Sequence, residues 1–255
     1  MDTETLVAPK ELLEEAKKEL LLPLQKELRR NILDISFERG FSHLGSCLSA
    51  VDLILSVYQH KKPNDKFILS NGHAGVALYA VLEKFGLIKH DQIKNLRVHP
   101  DRNPDIGIEV STGSLGQGLP IGVGMALSNR GNHIYCMVSD GEYYEGSIWE
   151  SLRFAEDSSL SNLTIIVNAN GWGAYHPVTV PNLISRTKSF CSNVALVDGH
   201  DLSKIEEALA VERNDKPVVI FGETTVEQLP FLKGQDAHYY VMTEQDYQEG
   251  FKFYS

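Results

Sequence analysis

Four short apolar runs in the second half of the chain constrain the fold more than any other feature. Residues 133–139 (HIYCMVS), 163–168 (LTIIVN), 194–198 (VALVD) and 218–222 (VVIFG) are mostly apolar, the composition of strands covered on both faces. Helical patterns lie between them: residues 148–156 follow the first run, and residues 202–212 precede the last. The alternation predicts an α/β fold, a doubly wound parallel sheet with helices on both faces. No repeat, low-complexity tract or linker interrupts it, so residues 1–255 read as a single domain.

Residues 8–40 read as two helical pieces divided by Pro23, which removes an amide donor, so that residues 1–23 form an N-terminal helical extension. In the second piece Leu24, Leu28, Ile32 and Ile35 fall on one face, and Gly40 is a C-terminal stop. Ser49 is expected to cap the apolar stretch AVDLILSVY, and residues 74–85 give another helix ending at Gly86. The segment KKPNDKFILSNGH between them reads as a loop. Residues 225–255 form a divergent tail rich in aromatics: Tyr239, Tyr240, Tyr247, Phe251, Phe253 and Tyr254. Such residues either pack on their own domain or form a partner interface.

Composition narrows the function. Twenty-four basic against 34 acidic residues give a net charge of −10, which repels a phosphate backbone and argues against a nucleic-acid partner. Three scattered cysteines, without a CxxC pair, suit a reducing compartment. The acidic N-terminus is unlike a signal peptide, and no apolar run approaches the roughly 20 residues that span a bilayer. The expectation is a cytoplasmic protein with no membrane partner.

Three groups of residues carry possible chemistry. The segment STGSLGQGLPIGVGMAL sets Gly113, Gly116 and Gly118 ahead of a helix whose free amides can face an anion. It lacks the Lys-Ser/Thr ending of a nucleoside-triphosphate loop. A dinucleotide-binding reading draws on Asp140 at the end of the next strand, but the glycine order is GxxGxG and not GxGxxG. Asp140 and Asn170 follow two consecutive strands and would share one rim of a parallel sheet, where a carboxylate, a carboxamide oxygen and a backbone carbonyl suit Mg²⁺ bridging to a diphosphate. Asp140-Gly141 and Asn170-Gly171 also read as turn formers after strands. His43 (FSHLGS), His73 (LSNGHAG) and His99 (RVHPD) stand among small neighbours, accessible for hydrogen bonding and proton transfer near pH 7. His60, His90 and His133 carry only an ordinary structural reading.

Taken in order, FSHLGSCLSAVD, FILSNGHAGVALYAVL, HP, GIEVSTGSLGQGLPIGVGMAL, SDGEYYEGSIWESLRFA, NLTIIVNANG and VDGHD resemble the N-terminal, diphosphate-binding half of transketolases, from about residue 25 to residue 222. In that family this half binds thiamine diphosphate through Mg²⁺, with Ca²⁺ or Mn²⁺ able to take its place. The resemblance implies that Asp140, followed by Gly141, is the aspartate of the family's GDG motif, that Asn170 is its metal-binding asparagine, and that the carbonyl of Trp172 is the third protein ligand. His73 and His99 match histidines that contact the diphosphate or the sugar, and His43 matches one lining the substrate channel. His238 is the candidate for a final active-site histidine. Gly113, Ser114 and Leu115 match the turn beside the thiazolium and diphosphate, and Glu145 a glutamate at the subunit contact that relays between cofactors.

The implied reaction cleaves a carbon–carbon bond of a ketose phosphate and transfers a two-carbon ketol unit to an aldose phosphate, the cofactor supplying the electron sink. Full-length transketolases add a pyrimidine-binding domain and a third domain. This chain therefore resembles the N-terminal subunit of a split transketolase, inactive alone and assembled as two copies with two of a separately encoded C-terminal subunit. It departs from the family at Ser139 for the first glycine of GDG, at Asn168 for an acid, and in TTVEQLPFLKGQDAHYY, which lacks a glycine–lysine–glycine element. Such changes imply a relaxed or specialised sugar range. The competing readings are another thiamine diphosphate enzyme, of the 2-oxo acid dehydrogenase or deoxyxylulose phosphate synthase type, and a non-catalytic binding or scaffold paralogue.

Overall fold

The computed structural model describes residues 22–255. The first of the two expected N-terminal helical pieces lies outside them; the second is α1 (Pro23–Arg39). Pro23 sits in its first turn, where the missing N–H costs nothing, and Gly40 closes it in the left-handed region. α2 (Leu44–His60) starts before the expected cap: Ser49 lies inside the helix and its hydroxyl donates to the Ser46 carbonyl. Burial of every residue from Leu44 to Tyr58 outweighs the weak helix propensity of the GSCLS stretch.

The loop reading of KKPNDKFILSNGH is also corrected. KFIL within it is β1 (Lys66–Leu69), an edge strand of four residues, too short to show a period of its own. Next come α3 (Gly75–Lys84), α4 (Gly118–Ser128), β2 (Ile134–Ser139), α5 (Gly146–Asp157), β3 (Leu163–Ala169), α6 (Val180–Thr187), β4 (Asn193–Asp198), α7 (Leu202–Leu209), β5 (Val218–Glu223) and α8 (Glu244–Phe253). All neighbouring strands are parallel, in the order β1-β2-β3-β5-β4. Each expected run is one of these strands, and helices cover both faces of the sheet.

Successive side chains of a strand point to opposite faces, so one run feeds two cores. From β2, Tyr135 and Met137 join α1, α2 and α3, while Ile134, Cys136 and Val138 join Leu119 and Val123 of α4 and Ile148 and Leu152 of α5. Under the first layer, Arg29 of α1 and Asp52 of α2 form a fully buried ion pair, Nη1 lying 2.9 Å from Oδ1 and Nη2 2.5 Å from Oδ2. His200 Nδ1 lies 2.8 Å from the same carboxylate, and its Nε2 accepts the Thr225 N–H.

The aromatic tail packs largely on its own domain. In α8, Tyr247 stacks on Phe37 at 4.6 Å and donates to Asp34, and Tyr254, just past its end, is buried. Tyr239 and Phe251 are the exceptions, exposed at 54% and 37%. Among the described residues no helix is long and apolar enough to cross a membrane.

Candidate functional site

The β2–β3 register pairs Ser139 with Asn168, which brings the residues that follow, Asp140 and Asn170, to one rim of the sheet. Asp140 is wholly buried: Oδ1 accepts the Gly141 N–H at 2.9 Å and Oδ2 the Gly171 N–H at 2.7 Å. Asn170 Oδ1 accepts the Trp172 N–H at 3.0 Å. Gly141 packs beside this loop, so that a Cβ on it would stand 3.7 Å from the Trp172 carbonyl oxygen. Burial pushes the Asp140 carboxyl up to about 7, against the pull of the Gly171 and Gly141 amides. A cation here would reverse that shift.

Four histidines from four separate segments meet above the rim. Ring centroids are 5.4 Å apart for His43 and His73, 6.1 Å for His43 and His99, and 6.1 Å for His73 and His238. His43 occupies the left-handed region (φ 68°) at the start of α2, a conformation uncommon for residues other than glycine. Burial pushes His43 down to about 4 and His73 down to about 3, with the neighbouring imidazoles adding to it. Burial also lowers His238, opposed by the nearby Trp172 backbone. The turn that carries His238 packs against Trp172, whose N–H is held by Asn170, so the histidine cluster lies beside the Asp140–Asn170 rim.

The glycine-rich turn closes one side. Gly113 has φ +138°, open only to glycine, and a Cβ there would meet the His99 ring at 3.0 Å. Ser114 is exposed and Leu115 half-buried on the same turn. No strand leads directly into this turn: β1 ends at Leu69, and α4 begins only at Gly118. The dinucleotide reading loses the strand–turn–helix unit it requires. Glu145 is exposed at the start of α5, its Cβ against Gly116.

Sequence reasoning missed Glu142. Its buried carboxylate accepts from Ser70 Oγ at 2.6 Å and Gly116 N at 2.9 Å through Oε1, and from Ser139 N at 2.9 Å through Oε2. It thus ties the ends of β1 and β2 to the glycine turn. The spacing Ser139-x-x-Glu142 is a capping box, a signal present in the sequence. Ser139 itself has extended angles (φ −93°, ψ 159°), so a side chain in place of the family's glycine is free of strain and serves as the cap.

Several buried polar atoms around this concavity have no protein partner: His43 Nδ1, both Asn71 side-chain atoms, Thr112 Oγ1 and His238 Nδ1. Buried polar groups are normally hydrogen-bonded, so their concentration here fits a polar ligand. Among the described residues no three His, Cys, Asp or Glu side chains converge as a metal cluster. The rim offers instead one carboxylate, one carboxamide oxygen and a backbone carbonyl, hard oxygen donors of the kind that hold Mg²⁺ against phosphate.

Comparison with known proteins identifies the family and the fold. Residues 33–249 match the family described as transketolase, thiamine diphosphate binding domain. Transketolase-like protein 2 of Bos taurus is 32% identical over 233 residues, covering 81% of this chain and 37% of the relative, and human transketolase is 30% identical over 83% and 38%. A transketolase family protein of Sinorhizobium fredii, y4mO, is 29% identical over 86% of this chain and 89% of its own length. In fold, a Pichia stipitis transketolase variant superposes with a TM-score of 0.80 (23% identity, 91% of this chain, 40% of that one), and Campylobacter jejuni transketolase with 0.77 (24%, 97% and 43%). The chain spans under two fifths of the length of the mammalian relatives. It belongs to the transketolase family, as a thiamine diphosphate-binding domain.

Proposed function

We propose that this chain is the diphosphate-binding subunit of a two-component transketolase, acting with a separately encoded subunit that carries the pyrimidine-binding domain, two copies of each. The observation that carries the reading is the meeting of two clusters: four histidines with ring centroids 5.4–6.1 Å apart, one of them, His238, on the turn that packs beside Trp172 and so beside the oxygen donors of Asp140 and Asn170. The near-equal extent of the Sinorhizobium fredii relative supports a subunit of this size.

Asp140, Asn170 and the Trp172 carbonyl would hold Mg²⁺, and the Gly113–Leu115 turn would flank the diphosphate. When bound, thiamine diphosphate supplies the electron sink for carbon–carbon cleavage. The histidines do the rest that this chain can do. With pKa values pushed well below 7, His43 and His73 are neutral at physiological pH, each ring donating from one nitrogen and accepting at the other. That pairing suits a vicinal diol better than a carboxylate, and the unprotonated nitrogen accepts a hydroxyl proton. Ketose and aldose phosphates are the substrates this favours over 2-oxo acids. Three buried free thiols, Cys47, Cys136 and Cys191, fit a reducing, cytosolic setting.

The test is calorimetric titration of thiamine diphosphate with Mg²⁺ into the chain, with and without a co-expressed pyrimidine-domain subunit, followed by a ketol-transfer assay. Metal-dependent binding that tightens with the partner, together with turnover on ketose phosphates, is expected. No binding in either setting favours the scaffold reading, and turnover of pyruvate alone favours another thiamine diphosphate enzyme.

A further inference from the structure

A carboxamide presents an oxygen at one end and an NH₂ at the other, and only the oxygen can face a cation. In Asn170 the oxygen takes the Trp172 N–H at 3.0 Å, and the nitrogen points the other way, 3.4 Å from Ser49 Oγ. Ser49 lies on the interior face of α2, wholly buried, and gives its own proton to the Ser46 carbonyl at 3.0 Å. Its oxygen is left with lone pairs alone, and these accept from Asn170 Nδ2 and, at 2.9 Å, from Asn168 Nδ2. Asn168 is fixed at its far end, where Oδ1 accepts the Thr224 hydroxyl at 2.6 Å. Thr224 is held in turn by its N–H to the Ala169 carbonyl at 3.1 Å.

We infer that Ser49, backed by Asn168 and Thr224, is a positioning relay that sets the Asn170 carboxamide with its oxygen toward the metal. The inference rests on the cofactor reading above. It also gives Asn168 a role. A neutral amide there keeps both hydrogen bonds of the relay, one given to Ser49 and one taken from Thr224, without a second buried negative charge beside Asp140. Ser49, hidden in a helix interior, touches neither metal nor substrate and acts only through Asn170.

The experiment titrates Mn²⁺ into the full-length chain at saturating thiamine diphosphate, read by calorimetry and by the Mn²⁺ paramagnetic resonance signal. Removal of outer-shell partners typically weakens a metal site about ten- to hundredfold. Ser49→Ala should raise the half-saturating Mn²⁺ concentration by about that factor, while thermal melting in EDTA shows the variant folded. Ser49→Thr, which keeps a hydroxyl at this position, should shift it no more than about threefold, a small part of the outer-shell range. A purely structural role for Ser49 would reduce the fraction of competent protein and leave the metal midpoint in place. An unshifted midpoint in Ser49→Ala, with Asp140→Ala abolishing binding, overturns the relay and leaves the cofactor reading standing. A loss in Ser49→Thr equal to that in Ser49→Ala, with the Thr variant melting like wild type, also overturns it. Absence of metal-dependent binding in the wild-type chain overturns the cofactor reading, and the relay with it.

Discussion

Asp52→Asn is the most informative perturbation of the scaffold beneath the site. Asp52 and Arg29 are both fully buried, joined through two nitrogen–oxygen contacts, and His200 makes a third contact with the same carboxylate. Burial works to raise the Asp52 pKa, but Arg29 and His200 outweigh it and hold the carboxyl well below the usual range. Burial likewise works to lower the Arg29 pKa, and Asp52 outweighs it, so the guanidinium stays charged in the core. An isosteric amide fills the same space and cannot neutralise that charge. Breaking one partner of a buried pair costs about 3–5 kcal/mol. For a chain of this size each kcal/mol moves the melting temperature by roughly 2–4 °C, so a fall of roughly 6–20 °C is expected. Replacing both partners with apolar residues, Arg29→Met with Asp52→Leu, removes the stranded charge and should recover more than half of the loss, the remainder being the orphaned His200 and Gln228 contacts. Urea unfolding and thermal melting at pH 7.5 read both arms. The carboxyl is depressed in the folded state, so its stabilisation is present above pH 3.8 and lost as the pH falls below it. The gap between wild type and Asp52→Asn should therefore narrow below pH 4. A single variant melting within about 2 °C of wild type, or a double variant worse than the single, would refute the reasoning.

Other perturbations address the site directly. Asp140→Ala should abolish metal-dependent thiamine diphosphate binding in calorimetry while the chain stays soluble and folded by circular dichroism; unchanged affinity would remove Asp140 from the metal site. Gly113→Ala forces a residue with a Cβ to φ +138° and into the His99 ring, at a cost of about 1–3 kcal/mol. Its melting temperature should fall by several degrees and cofactor affinity should drop with it; a neutral effect on both would mean the turn relaxes freely. Burial lowers the pKa of His43 and His133 to about 4 and of His73 to about 3, so between pH 4 and the unfolded value of 6.5 the unfolded chain binds more protons. Stability should fall as the pH drops through that window, by up to roughly 1.4 kcal/mol per pH unit for each such proton. Asp140, raised to about 7, works in the opposite direction over the same range and cancels about one of them. Melting of His133→Gln in EDTA from pH 7 to pH 4.5 should show a slope smaller by about one proton; an identical slope would remove His133 from the account.

What was legible in the sequence follows from where each constraint lies. Residues 134–139, 163–169 and 218–223 show as strands because both their faces are buried, which leaves an apolar run independent of context. β1 escapes notice because its four residues owe their conformation to pairing with β2 across nearly seventy positions of chain. The true start of α2 escapes because burial of Leu44 to Tyr58, and not a capping residue, decides it. The site divides in the same way. The capping box of Ser139 and Glu142 is local and readable, whereas the reach of Glu142 to Ser70 and Gly116 is not. His238 joins His73 only because the turn at residues 234–238 folds back beside Trp172, where Gly234 approaches the indole within a side chain's width.

The two departures within the motifs proposed to bind the metal are where letter and physics part most clearly. Ser139 breaks the family's glycine pattern, yet its angles are extended and its hydroxyl caps the turn, so the position tolerates a Cβ and uses the side chain. Asn168 breaks the family's acid pattern, yet it sits at zero exposure with one hydrogen bond accepted and one donated, both to residues that frame Asn170. A motif position is therefore defined by the backbone angle it must adopt and by the partners it must satisfy. On those terms both substitutions are compatible with a working metal site, and they argue for retained cofactor binding over the loss that a scaffold paralogue would require.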